Sequence, residues 1–151
     1  MGLQAAFASA WAECTGELIA GDTFFPKKAF TSVDGGMQAG IFFASPTAGS
    51  TPAERFIALS IASARRTLYV TNSYFVPDDD FRNILISARK RGVDVRVLTV
   101  SKETDVKTTW WAGRSSYEQL LAAGVRIYEY QPAMMHSKTF IVDGMWGSIG
   151  L

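Results

Sequence analysis

Hydrophobic positions are spaced in two ways along this 151-residue chain. Leu3, Phe7, Trp11, Cys14 and Leu18 recur at helical spacing, predicting one amphipathic helix over residues 3 to about 19, ended by Gly21-Asp22. Residues 26 to 35 carry Pro, Lys, Ser, Asp and Gly and read as a linker. Met37 to Ala44 reads as a short strand, followed by a loop through Ser45-Pro46 and Gly49-Ser50. From Thr51 onward the signals sharpen. Thr51-Pro52-Ala53-Glu54 has a capping hydroxyl, a proline at the first helical position and a glutamate at the third, opening a helix to about Arg66. Thr67 to Thr71 then reads as a buried strand.

Pro77-Asp78 opens the next helix, with Phe81, Ile84, Leu85 and Ala88 on one face and Gly92 as its stop. Val93 to Val100 is the following strand. Tyr117, Leu120 and Leu121 mark another helix, ending at Gly124. Val125 to Tyr130 and Lys138 to Val142 are the last clear strands, with Trp146 to Ile149 as a short partner. Strands alternating with helices of this length predict an α/β sheet covered by helices on both faces. The two strands flanking Met134-Met135 leave no room for a crossover helix, so they are expected to pair as antiparallel neighbours and make the sheet mixed.

Composition narrows the picture. With 48% hydrophobic residues, one domain can bury a sizeable core, whereas a second full domain does not fit. The formal charge of +1 supplies no global attraction to nucleic acid. Cys14, the single cysteine, excludes an intrachain disulfide, and its place in the apolar helical stripe suggests a buried, inert thiol. No apolar run approaches the roughly eighteen residues of a membrane span, and the first residues lack the plan of a signal peptide.

The candidate chemistry gathers at one place. His136 is the only histidine, and it heads the segment His136-Ser137-Lys138-Thr139-Phe140-Ile141-Val142-Asp143, a His-x-Lys-x-x-x-x-Asp pattern. On a strand, residues i and i+2 share a face, so His136 and Lys138 project together. An imidazole lone pair beside an ammonium suits attack on phosphorus, with the lysine holding the phosphoryl oxygens. Asp143 lies an odd number of residues from His136 and faces the other way in a regular strand. Anchoring the turn at Gly144 or pairing with a cation fits that placement better than chemistry does. Glu129 shares a face with Val125 and Ile127; it reads either as an orienting or structural ion-pair partner or as a solvent-facing residue on a short edge.

The surrounding segments carry a resemblance. Tyr74-Phe75-Val76-Pro77-Asp78, Arg91-Gly92-Val93-Asp94-Val95-Arg96 and Ala123-Gly124-Val125-Arg126-Ile127-Tyr128-Glu129-Tyr130 run into Met135-His136-Ser137-Lys138 and Val142-Asp143-Gly144. In that order and spacing, the chain from Thr51 to Gly150 resembles the second catalytic half of bacterial cardiolipin synthases, in the phospholipase D superfamily. Residues 3 to 26, with Trp11, Gly16-Glu17-Leu18 and Phe24-Phe25-Pro26, resemble the segment that closes the first half of those enzymes. The resemblance implies three parts: residues 1–25, a helix ending a preceding half; residues 26–50, a linker and short strand; and residues 51–151, a phospholipase D-like domain whose sheet is incomplete at both ends. Gly150 stands where the family's Gly-Ser-x-Asn element begins, and Leu151 stands in place of its serine.

The resemblance further implies the chemistry: catalytic residues His136, Lys138 and Asp143, and substrate contacts from Tyr74, Phe75 and Gly150. His136 would form a phosphohistidine and pass a phosphatidyl group from phosphatidylglycerol or a similar phospholipid to an alcohol, with no metal or other cofactor. A second His-x-Lys-x-x-x-x-Asp half would come in cis or, in a homodimer, in trans. The expected setting is the bacterial cytoplasm, peripheral at the inner membrane, with nucleic acid disfavoured as a partner. Two other readings stay open: a homodimeric phosphodiesterase or nuclease of the superfamily, and an inactive truncated half-domain. Tyr74, Phe75 and Pro77 either line the mouth of a lipid pocket or cap the core. Trp110-Trp111 is placed in a loop with Lys107 upstream, suited to a bilayer interface or to burial under a neighbouring segment. Asp105 and Arg114 flank that loop at positions resembling the family's pattern, without an assigned role.

Overall fold

The computed structural model describes residues 2–27, 34–43 and 51–150. Much of the expected linker (28–33), the loop through Ser45-Pro46 and Gly49-Ser50, and Leu151 lie outside the described residues. The chain forms two compact units, Met1–Ala53 and Glu54–Leu151.

The first unit contains helix α1, Gly2–Thr15. It stops four residues short of the predicted end because Gly16 adopts a left-handed φ of 75° and its amide returns to the Ala12 carbonyl at 2.9 Å. Phe7 and Trp11 stack at 6.0 Å between ring centroids, and Gln4 Nε2 donates to the Phe24 carbonyl. No residue of α1 is fully buried, so Cys14 is exposed, contrary to the burial inferred from its stripe. Residues 37–43 form no strand: an apolar run becomes a strand only when a neighbour accepts its ladder, and none of the described strands does so.

Helix α2 (Pro52–Ser63), whose start carries the expected proline, leads into the second unit. After it come β1 (Thr67–Asn72), α3 (Asp79–Lys90), β2 (Asp94–Val100), α4 (Lys107–Arg114), α5 (Tyr117–Ala122), β3 (Arg126–Tyr130), β4 (Lys138–Val142) and β5 (Trp146–Ile149). Asp78 caps α3, its side chain accepting the Phe81 amide at 2.8 Å. The strands form one five-stranded sheet in the order β3-β2-β1-β4-β5. β1, β2 and β3 run parallel; β4 runs antiparallel to β1 and to β5.

The sheet is mixed, as expected, for a different reason from the one inferred. β3 and β4 are not neighbours. Residues 131–137 carry the chain past the C-terminal ends of β2 and β1, so that β4 pairs with β1 instead. Crossing two strands covers about 14 Å at a strand spacing of about 4.8 Å, well within reach of an extended segment of that length. A short connection excludes a parallel crossover, but it does not choose among the neighbours it can reach.

Alternate strand residues build the core. Leu68, Val70, Val95, Val97, Phe140 and Val142 point to one face, where Ile61 of α2, Leu85 and Ala88 of α3, and Leu120 of α5 meet them. Burying each of the Val, Leu, Ile and Phe side chains among them contributes about 1.5–3 kcal/mol. On the other face Arg96 lies over the Tyr69 ring at 5.3 Å and bonds Asp94, whose carboxyl is held below its usual range first by that hydrogen bond and also by Arg126 and Arg89. Among the described residues no helix is long and apolar enough to cross a membrane.

Candidate active site

At the C-terminal ends of the parallel strands the apolar face gives way to polar residues. Lys138 pairs with Asn72 in the β4–β1 register, and Thr99 pairs with Glu129 in the β2–β3 register. All four continue the rows that begin as Phe140, Val70, Val97 and Ile127, so they stand at the rim of the core. Open α/β sheets bind ligands at this end of their strands.

His136 reaches the rim from the connection before β4 and is exposed, while Lys138 is half-buried at the first position of the strand. Lys138 Nζ lies 3.1 Å from His136 Nε2 and 3.4 Å from Nδ1. The ammonium therefore stands against the imidazole within reach of both of its ring nitrogens. Beneath them, Ser73 is buried and its hydroxyl donates to the Ser137 carbonyl at 3.3 Å, tying the segment to the end of β1. The Gly150 amide donates to the Lys138 carbonyl at 2.9 Å, so this glycine meets the site through its backbone, at a left-handed φ of 94°.

Tyr74 completes the group. Its ring meets His136 edge to face at 5.6 Å, and Lys138 Nζ lies 5.3 Å from the same ring's centroid. The Tyr74 hydroxyl donates to both oxygens of Asp105, each at 3.0 Å. Desolvation first, and then Asp105, push the Tyr74 phenol above its ordinary value and keep it protonated. Phe75, the adjacent residue, turns the opposite way: it is 5% exposed and packs against Phe81 in the core. The dipeptide is therefore divided, one ring at the site and one beneath it.

Asp143 is engaged elsewhere. Its Oδ1 accepts the amides of Thr67 at 2.8 Å and Arg66 at 2.7 Å, and its Oδ2 accepts that of Arg65 at 3.0 Å. These backbone donors, Thr67 first, hold its carboxyl below the usual range. Its backbone has φ 55°, followed by Gly144 at φ 70°, and the Met145 amide closes on the Val142 carbonyl. Asp143 and Gly144 are the left-handed centre of the three-residue connection between Val142 and Trp146, at a position where aspartate is tolerated better than most residues. Asp143 thus fastens the β4–β5 hairpin to the chain entering β1.

Glu129 receives Trp110 Nε1 at 3.0 Å, Tyr117 Oη at 3.4 Å and Arg114 at 3.4 Å. It acts as the structural ion-pair partner of the two readings kept open for it. Trp110 and Trp111 lie on helix α4, not in a loop: Trp110 lies under Arg114 at 4.9 Å, and Trp111 is 65% exposed. The helix is legible only in three dimensions, because Gly113 presses against the Phe75 carbonyl with no room for a side chain. Asp105 was visible only as a position of interest; its partnership with Tyr74 spans 31 positions and leaves no local signal.

The family profile described as "Cardiolipin synthase, PLD-like domain" matches residues 57–150. A cardiolipin synthase of Alkalihalophilus pseudofirmus is 37% identical over 149 residues, 98% of this chain and 29% of that protein. Cardiolipin synthase 2 of Bacillus anthracis is 38% identical over 149 residues, 98% of this chain and 28% of that protein. The chain therefore spans less than a third of the length of these relatives. Among solved structures, Nuc of Salmonella typhimurium, a phospholipase D family member, superposes with a TM-score of 0.52 at 23% identity, covering 60% of this chain and 57% of that one. At that identity the likeness speaks for a common fold.

Proposed function

The chain belongs to the cardiolipin synthase, phospholipase D-like domain family, and from that premise we propose that it supplies one half of a phosphatidyltransferase active site. His136 is the nucleophile. Its ring nitrogen forms a bond to the phosphorus of phosphatidylglycerol or a similar phospholipid as the bond from phosphorus to the glycerol oxygen breaks. That oxygen takes a proton from a general acid outside this half, a histidine of a second His-x-Lys motif. The resulting phosphatidyl-histidine is attacked by the hydroxyl of an acceptor alcohol, whose proton returns to the same base as the phosphorus–nitrogen bond breaks. Lys138 holds the phosphoryl oxygens through both steps.

The observation that carries this reading is the 3.1 Å approach of Lys138 Nζ to His136 Nε2, which sets nucleophile and charge side by side at the open rim. The greater length of the relatives accommodates the second half in cis, and a homodimer would supply it in trans. Contact with the bilayer is peripheral in this half, with Trp111 as its exposed aromatic anchor.

The test is to expose the full chain to short-chain phosphatidylglycerol, quench, and map covalent adducts by mass spectrometry. A phosphatidyl mass on the peptide containing His136, absent in His136→Ala, is the expected result. An unmodified peptide, with the chain folded and also mixed with a two-motif relative carrying His→Ala in its second motif, would remove His136 from the role of nucleophile.

A further inference from the structure

Asp105 is exposed and contacts neither His136 nor Lys138 directly, yet both reach it through one ring. Its two carboxylate oxygens hold the Tyr74 hydroxyl, each at 3.0 Å. The ring of Tyr74 offers an edge contact to His136 at 5.6 Å and lies 5.3 Å from Lys138 Nζ. A phenol ring on a single side-chain axis can swing about its bonds unless its far end is held. The hydroxyl is that far end, and Asp105 is its acceptor.

Asp105 is itself held. Thr104, buried beside it, donates its hydroxyl towards Asp105 Oδ1 at 3.4 Å, and the Val106 amide donates to the Thr104 hydroxyl at 3.3 Å. On the other side, the Tyr74 amide donates to Asn72 Oδ1 at 2.9 Å, fixing the backbone from which the ring projects. Gly113 of α4 packs on the carbonyl of Phe75, so the helix that follows Asp105 is seated on the loop that carries Tyr74. Both ends of the Tyr74–Asp105 bridge are thus tied by hydrogen bonds to their own backbone surroundings.

From this arrangement we propose that Asp105 is a positioning residue for the proposed reaction: by holding the Tyr74 hydroxyl it fixes the ring that aims the His136 imidazole and seats the Lys138 ammonium before substrate arrives. The hydrogen bond to a carboxylate also enriches the ring in electrons, which strengthens its hold on the ammonium. When a phosphodiester enters, its oxygens draw Lys138 off the ring face, while the edge contact keeps the imidazole aimed. The inference rests on the reading of His136 as nucleophile, but its physical content can be measured without turnover.

His136 is the sole histidine, so its imidazole carbon-bound protons give one pair of NMR signals in the full chain, assignable with His136→Gln. The Tyr74 ring should displace those signals from their free-histidine positions, and Tyr74→Leu should abolish the displacement. Asp105→Ala and Tyr74→Phe, which keep the ring but lose the anchor, should each lose most of it. Asp105→Asn, which keeps an acceptor oxygen, should retain it. Unmoved His136 signals in Asp105→Ala and Tyr74→Phe, with Tyr74→Leu moving them, would show that packing alone places the ring and would overturn the proposal. So would a failure of Tyr74→Leu to move them.

In the adduct assay, Asp105→Ala should slow phosphatidylation at saturating lipid by about 10- to 100-fold, the cost of a misplaced nucleophile, with half-maximal lipid concentration unchanged. Loss of half-saturation alone would point to a substrate contact instead and count against positioning. A wild type that forms no adduct even when mixed with the two-motif relative, while its His136 signals still depend on Asp105, would sink the nucleophile reading and leave the bridge standing.

Discussion

The Asp143 carboxylate accepts the Thr67 amide at 2.8 Å across 76 positions of chain, and with the amides of Arg65 and Arg66 it closes the entry to β1. The aspartate of the His-x-Lys-x-x-x-x-Asp segment therefore works on the frame that holds β1 against β4, and the site feels it through that pairing.

This placement predicts an acid-sensitive stability. The carboxyl is held below its ordinary value in the folded chain, by the Thr67 amide first. A depressed folded value contributes stability that is present above the unfolded aspartate's value, about pH 3.9, and is lost as pH falls below it. Asp143→Asn should be less stable at neutral pH and should lose less on acidification from pH 5 to 3 than the wild type. Asp94→Asn serves as the control, because Asp94 titrates in the same direction through a different partner, Arg96. Urea midpoints at several pH values give the answer; parallel curves for wild type and Asp143→Asn would exclude the clamp.

Lys138 should matter to chemistry and little to folding. Its ammonium stands beside an exposed imidazole at the rim, and the core residues of its strand are Phe140 and Val142. Lys138→Met should leave the thermal midpoint near that of the wild type while slowing phosphatidylation of His136 by about 10²–10³-fold, the usual cost of removing one stabilising donor. Phe140→Ala should do the reverse, destabilising by about 3–5 kcal/mol through the cavity it leaves between α2 and the sheet. Equal effects of both changes on the midpoint would place Lys138 in the structural frame.

The division between legible and hidden features follows range along the chain. Asp78 as a cap, Gly92 as a stop and the alternation of Val93, Val95 and Val97 act within a few residues, so α3 and β2 could be read directly. The His136–Lys138 pair was legible because only one residue separates its members, although His136 stands in the connection before β4 and the strand period expected to align them does not extend to it. Three features escaped because each depends on distant partners. β4 chose β1 over β3 through a crossing loop; α4 forms across Thr108, Thr109 and Gly113, poor helix residues, because Gly113 docks on Phe75; Asp105 finds Tyr74 across the mouth of the sheet. The apolar stripe of α1 predicted burial for Cys14, yet a stripe shows only which face would be covered, and the described first unit leaves it exposed.

Gly113 offers a test of how the site is seated. A methyl group there would fall inside contact distance of the Phe75 carbonyl oxygen, which belongs to the backbone and cannot swing aside. Gly113→Ala favours helix intrinsically, by about 1 kcal/mol. The clash should outweigh that gain, giving a net loss of about 1–3 kcal/mol and a shift of Tyr74 away from His136. Denaturant midpoints and the His136 signals should move together. A stabilised Gly113→Ala would show that α4 is free to slide and does not set the loop.

The Glu129 hub predicts an alkaline counterpart to the acid limb of Asp143. Tyr117 is pushed up to about 12, by burial first and then by the Glu129 charge, with Arg114 opposing. A raised folded value contributes stability that is complete below the unfolded tyrosine's value, about 10, and is lost as pH rises towards the folded one. Glu129→Gln removes the charge but not the burial, so it should lower the Tyr117 value part of the way and narrow the window of alkaline loss. The variant also leaves Arg114 without its carboxylate and weakens the contact to Trp110. Absorbance titration of tyrosinate, with Tyr117→Phe identifying the late component, measures the shift. A late component that stays in place in Glu129→Gln would assign the whole displacement to burial and leave Glu129 as the anchor of α4 alone.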